Sequence, residues 1–142
     1  MFTMYQYKAQ LIKVVDGDTI EVDFDLGFGV WLRNQRIRLY GIDTPESRTS
    51  NKEEKARGLI SKAKLNELLC NSKYLTVETE IDPEEKYGRI LGRIETESGI
   101  NVNDWMIEKC YAVPYNGENK DKVQELHMAN AKKLKERGEI SL

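Results

Sequence analysis

The stretch Asp16-Gly17-Asp18-Thr19-Ile20-Glu21-Val22-Asp23-Phe24-Asp25-Leu26 decides the fold class. Ile20, Val22, Phe24 and Leu26 alternate with Glu21, Asp23 and Asp25, the period of a strand with one face in a core and the other in water. Ahead of it, Tyr7 to Val15 is apolar-leaning and runs into Asp16-Gly17, a tight-turn dipeptide, so the order is strand, turn, strand. Gly27-Phe28-Gly29 ends the second strand. Val30 to Ile42 then carries Trp31, Ile37, Leu39 and Tyr40 with three arginines among them, and it reads as a third strand because no helical face collects the apolar residues.

Beyond the Thr44-Pro45 break, Glu46 to Lys55 is almost entirely polar and is expected to be an exposed loop. Ala56, Leu59, Ile60 and Ala63 recur at helical spacing, which predicts an amphipathic helix running to about Cys70. Tyr74 to Ile81 and Arg89 to Ile94 alternate as strands four and five around a charged turn. A short helix is expected from Asn101, an acceptable N-cap, with Val102, Trp105, Met106 and Cys110 directed inward. The last helix, about Asn119 to Arg137, should bury Val123, Leu126 and Leu134 and stop at Gly138. The expected architecture is α+β: a five-stranded OB-type Greek-key β-barrel with about three α-helices, and residues 1–142 as one domain.

Composition agrees with a folded domain. Of 142 residues 39% are hydrophobic, 22 are basic and 24 acidic, which excludes disorder and collagen. No apolar run is long enough for a membrane span and no export signal opens the chain, so the expected location is the cytoplasm, with a mobile element as one candidate origin of the gene. Cys70 and Cys110 are far apart and His127 is the only histidine, so the usual four-ligand zinc sets cannot be assembled, and a lone histidine far from any G-x-S-x-G argues against a Ser-His-Asp hydrolase. The net charge of -2 argues against a basic field over the whole molecule but leaves room for a local basic site. No protein partner is indicated, and a monomer is expected.

Two acids stand where the pattern calls for apolar residues. Asp18 shares the parity of Ile20 and Val22, and Asp43 shares that of Ile37 and Leu39, so each places a carboxylate at the end of an apolar face. A hairpin turn or a helix start at Thr44-Pro45 would explain either acid alone. Asp16-Gly17-Asp18 is no EF-hand, because the later ligands of such a loop are missing. Arg33, Arg36 and Arg38 crowd one strand and Arg89 and Arg93 another. Two acids suited to a hard cation, arginines suited to a bidentate phosphate grip, and Glu46 close behind Asp43 together describe a metal-assisted phosphodiester site.

Three blocks carry a resemblance: Val14-Val15-Asp16-Gly17-Asp18-Thr19, Ile37 to Glu46 (IRLYGIDTPE), and Lys86-Tyr87-Gly88-Arg89. In this order they resemble the staphylococcal (micrococcal) nuclease family, and Val102-Asn103-Asp104 resembles the start of that family's second helix. The resemblance implies Asp18, Asp43 and the main-chain carbonyl of Thr44 as ligands of Ca²⁺, with Glu46 orienting or deprotonating the attacking water. It implies Arg38 and Arg89 as the catalytic arginines on the phosphate, and Lys86, Tyr87 and Tyr115 as substrate-binding residues. The implied activity is Ca²⁺-dependent hydrolysis of DNA, with RNA as a second substrate and little sequence preference. The alternative is a non-catalytic OB domain that binds nucleic acid or protein.

Overall fold

A computed structural model describes residues 5–81, 90–117 and 119–140 of the chain. Strand β1 (Tyr5–Asp16) pairs antiparallel with β2 (Thr19–Asp25), and β2 with β3 (Trp31–Leu39). The chain then makes the short β4 (Ile42–Asp43) and helix α1 (Lys52–Cys70) before returning to the sheet as β5 (Leu75–Ile81) and β6 (Ile90–Glu95). The strands close a barrel in the order β1-β2-β3-β6-β5, with β3 and β6 parallel and β1 meeting β5. Helix α2 (Val102–Glu108), the short β7 (Val113–Pro114) and helix α3 (Lys120–Glu136) complete the described chain. This is the expected five-stranded α+β barrel with three helices.

The alternation in β2 has its expected consequence: Ile20, Val22 and Phe24 are buried, packing with Ile37, Leu39, Leu75, Val77 and Ile94. Each such side chain stabilises the barrel by about 1.5–3 kcal/mol relative to exposure. Leu26 is a correction. It lies beyond the end of β2 and is exposed, because Gly27, Phe28 and Gly29 all take positive φ and turn the chain away from the barrel, leaving Phe28 fully in solvent. The third strand is also shorter than expected. It stops at Leu39, where Gly41 at φ 77° reverses the path, so that Ile42 and Asp43 leave the barrel and pair with Pro114 and Val113.

The helices begin where asparagine caps them: Asn51, Asn101 and Asn119 each accept a hydrogen bond from the backbone N–H three residues on. Helix α1 therefore starts at Lys52, several residues before the expected Ala56. Its buried face is also not the one predicted. Arg57, Gly58, Ser61, Leu65 and Leu69 face inward, whereas Leu59 and Ala63 are exposed. The reason is proximity. A Cβ on Gly58 would lie 2.4 Å from the carbonyl oxygen of Glu46, and one on Gly17 would lie 2.8 Å from Cβ of Ser61, so small residues were required there and apolar size was not.

Helix α2 buries Val102 and Met106 and half-buries Trp105, while Cys110 falls beyond its end at φ 67°. In α3, Val123 and Leu134 are buried as expected, but Leu126 is exposed and His127 takes the inward place. Asn103 fixes the route from the barrel to the site. Its buried side chain accepts from the Ile94 N–H (3.1 Å) and donates to the carbonyls of Tyr40 (2.9 Å) and Gly92 (3.1 Å), holding the turn that leads into Asp43.

Candidate active site

The predicted site residues Asp18, Arg38, Asp43, Thr44, Glu46 and Tyr115 come from neighbouring segments at one end of the barrel. Gly17 and Asp18 form the β1–β2 turn, and the absence of a side chain at Gly17 lets that turn press against Ser61 of α1 and Thr44. Arg38 lies directly across the β2–β3 ladder from Thr19, so its side chain rises beside Asp18. The carbonyl of Asp18 accepts the N–H of Leu39 at 2.8 Å, which ties the turn to the third strand.

Arg38 is the centre of the polar network. It donates to Asp18 Oδ2 at 3.3 Å and to the main-chain carbonyl of Ile42 at 3.0 Å, and lies 3.7 Å from Asp43 Oδ1. One guanidinium thus spans both acids. The hydroxyl of Thr19 donates to the other oxygen of Asp18 at 3.1 Å. Burial pushes the Asp18 carboxyl above its ordinary range. Arg38 opposes that shift, Asp43 adds to it, and bonds from the Thr19 hydroxyl and the Thr44 N–H lower it. Tyr115, whose N–H donates to Gly41 O at 2.8 Å, sets its ring centroid 5.9 Å from the Arg38 guanidinium.

Glu46 is exposed, and its backbone is clamped: Gly58 packs against its carbonyl and its N–H donates to Glu54 Oε2 at 3.1 Å. Next to it, the Ser47 hydroxyl donates to Asp16 Oδ1. Partial desolvation raises the Glu46 carboxyl from its ordinary value, and Asp18, Asp16, Glu54 and Asp43 raise it further. A carboxylate surrounded by other carboxylates is a better proton acceptor than an isolated one.

Two residues of this neighbourhood escape a sequence reading. His127, set aside as the lone histidine, is buried, and its Nε2 lies 2.7 Å from Asp43 Oδ2. The signal was available, since His127 falls on the stripe Val123, His127, Ala131, Leu134 that α3 buries. Arg57 is the other. It occupies the inward face of α1 and donates to the carbonyl of His127 at 3.4 Å. Lys86, Tyr87 and Arg89, the remaining predicted site residues, lie outside the described residues.

The donor set bears on a metal. Among the described residues no three His, Cys, Asp or Glu side chains converge as a cage. Beside His127 Nε2, which is taken up by Asp43, what converges is oxygen, two carboxylates next to the Thr44 backbone with one guanidinium between them, and Asp43 makes charge on Asp18 costlier. Such a set fits a hard divalent cation that draws its remaining ligands from water and substrate. It does not fit zinc.

A family model described as staphylococcal nuclease homologue matches residues 36–140, which includes Arg38, Asp43, Thr44 and Glu46 but not Asp18. Endonuclease YhcR of Bacillus subtilis (strain 168) is 30% identical over 115 residues, 78% of this chain and 9% of that protein. An uncharacterized endonuclease of Escherichia coli is 34% identical over 115 residues, 81% of this chain and 65% of that protein. A thermonuclease of Staphylococcus intermedius is 33% identical over 88 residues, 61% of this chain and 48% of that protein. The chain spans less than two thirds of the length of each of these relatives. No helix among the described residues is long and apolar enough to cross a membrane.

Proposed function

The chain belongs to the staphylococcal nuclease homologue family, and from that premise we propose that it is a calcium-dependent nuclease, hydrolysing phosphodiester bonds of DNA and RNA with little sequence preference. The observation that carries the reading is Arg38 spanning Asp18 and Asp43 in a half-buried site, with Glu46 clamped beside them. A domain that only bound nucleic acid would gain nothing from two facing carboxylates at the place where a phosphate must sit. Residues 1–142 are proposed to form one domain.

Asp18, Asp43 and the Thr44 carbonyl would hold the calcium ion, which when bound polarises a phosphate oxygen and offsets the negative charge of substrate and ligands. Arg38 grips the scissile phosphate and stabilises the charge that gathers on it in the transition state, since its planar fork is fixed by the Ile42 carbonyl. Glu46 accepts the proton of the attacking water, a role its raised carboxyl suits. His127 holds Asp43 in one orientation, as partners of ligating carboxylates do. Arg89 would complete the grip on the phosphate, with Lys86, Tyr87 and Tyr115 along the substrate, and the first three of these enter by sequence alone.

The test is incubation with single-stranded DNA, double-stranded DNA and RNA, each with Ca²⁺, with Mg²⁺ and with chelator. Cleavage that requires a divalent cation and is best with Ca²⁺ is expected. Undiminished cleavage in excess chelator overturns the proposed role of the two acids.

A further inference from the structure

Arg57 is 4% exposed, yet among the described residues no carboxylate lies within ion-pair distance of it. Its one hydrogen bond there is the 3.4 Å contact to the His127 carbonyl, in a side chain with five N–H donors. Buried charges are normally paired, because removing a charge from water costs several kcal/mol. Glu53 and Glu54 lie one turn earlier in α1, but Glu54 is bonded to the Glu46 N–H instead.

The side chain lines a cleft of about 450 Å³ between α1 and α3, where Glu54 stands beside it and the other wall is Asp43, Thr44 and Glu46. Lys120, the first residue of α3, and Gln124, one turn on, line the same cleft. Two acids on its wall have other partners, Asp43 in His127 and Arg38, and Glu54 in the Glu46 N–H, and among the described residues no carboxylate of the wall pairs with Arg57. Tyr115 borders this cleft and also a smaller one of about 270 Å³ lined by Arg38, Tyr40 and Gly41, so it forms the partition between the two. A strand lying across Arg38 would pass over Tyr115 to reach the α1–α3 cleft.

We propose that this cleft is a second phosphate subsite, in which Arg57, Lys120 and Gln124 hold the nucleic-acid phosphodiester adjacent to the scissile one. The inference rests on the nuclease reading for its substrate class, and the cleft itself fits a phosphate because, among the described residues, neither of its two cations is in an ion pair. A planar guanidinium at its floor suits a phosphodiester bidentately.

The test compares wild type with Arg57→Met, which fills the buried space without charge, and Lys120→Ala, which touches only an exposed side chain. In chelator, fluorescence anisotropy of a labelled hexathymidylate should show binding weakened about tenfold by Arg57→Met and several-fold by Lys120→Ala. The slope of log affinity against log salt should fall by about 0.7 for each lost contact. With Ca²⁺, KM for the hexamer should rise about tenfold in Arg57→Met, while a dinucleotide with a single phosphodiester is cleaved as by wild type. The melting temperature of Arg57→Met should be unchanged or higher, since an unpaired buried charge is removed. Unaltered affinity and salt slope in both variants overturn the proposal and leave Arg57 a pillar between helices. So does a loss of folding in Arg57→Met with no effect of Lys120→Ala. Wild type that cleaves nothing, yet shows the salt-slope losses in chelator, supports the subsite and refutes the nuclease reading.

Discussion

Strand β2 buries Ile20, Val22 and Phe24 and turns Glu21, Asp23 and Asp25 outward, whereas helix α1 buries Arg57, Gly58 and Ser61 and leaves Leu59 and Ala63 outside. In β2 the inward residues are selected by apolar area. In the first half of α1 they are selected by how closely another backbone must approach. The strand closes a core, and the helix sets the position of the Pro45–Glu46 backbone and of the Gly17 turn. One element thus contributes stability and the other geometry, and substitutions in them should fail differently.

The largest effect is expected from Glu46→Gln, which preserves the loop and its clamp but removes the accepting oxygen. Single-turnover kcat should fall on the order of 10² to 10⁴-fold with the melting temperature and Ca²⁺ titration nearly unchanged. A wild-type rate would make Glu46 no more than an acid ahead of the helix. Ile20→Ala probes the strand: unfolding in urea should show a loss of about 3 kcal/mol, while kcat per folded molecule stays within twofold. Gly58→Ala probes the helix and should do the reverse. Its Cβ meets backbone oxygen that cannot rotate away, so the Glu46 loop shifts and kcat falls about 10²-fold, more than its stability would suggest. If Gly58→Ala lowers stability alone, the distinction between the two elements collapses.

The smallest effect lies away from both. Burial, and then a 2.5 Å bond from its hydroxyl to Glu139, push the Tyr111 phenol up to about 12. The folded state therefore holds this proton more tightly than the unfolded state, where tyrosine titrates near 10. The associated stability is complete below about pH 10 and is lost as pH rises toward about 12. Ultraviolet titration should show a late phenol that is lost in Tyr111→Phe, whose stability at neutral pH drops by about 1 kcal/mol.

The same contrast explains what the sequence made legible. Alternation in β2 from Ile20 to Phe24, the Asn101 cap, the start of α3 at Asn119 and the Asp-Gly-Asp turn are local signals with local causes, and each is found where it was expected, whereas the Asn51 cap was not expected. The inward face of α1 was hidden because Gly58 and Ser61 look like surface residues and Arg57 is charged. Their burial depends on partners more than ten residues away in the chain. Asp18 and Asp43 were identifiable as acids at the ends of apolar faces. That one guanidinium joins them, and that His127 holds the second, follows from tertiary placement alone. Leu126 is the more hydrophobic of two neighbours, yet the buried stripe of α3 passes through His127 and leaves Leu126 outside.

The bond between His127 and Asp43 joins positions 84 residues apart. During synthesis from the N-terminus, all the barrel strands emerge before α3 does, so a nascent chain can close its core while Asp43 still lacks this partner. Closing a loop of that length carries an entropic cost that only the packing of α3 repays. Completion of the site by His127 is therefore expected to follow closure of the barrel. A fragment ending at Asn119 should accordingly keep the far-ultraviolet signature of the barrel and lose most of its Ca²⁺ affinity, and full affinity in that fragment would refute this order of assembly.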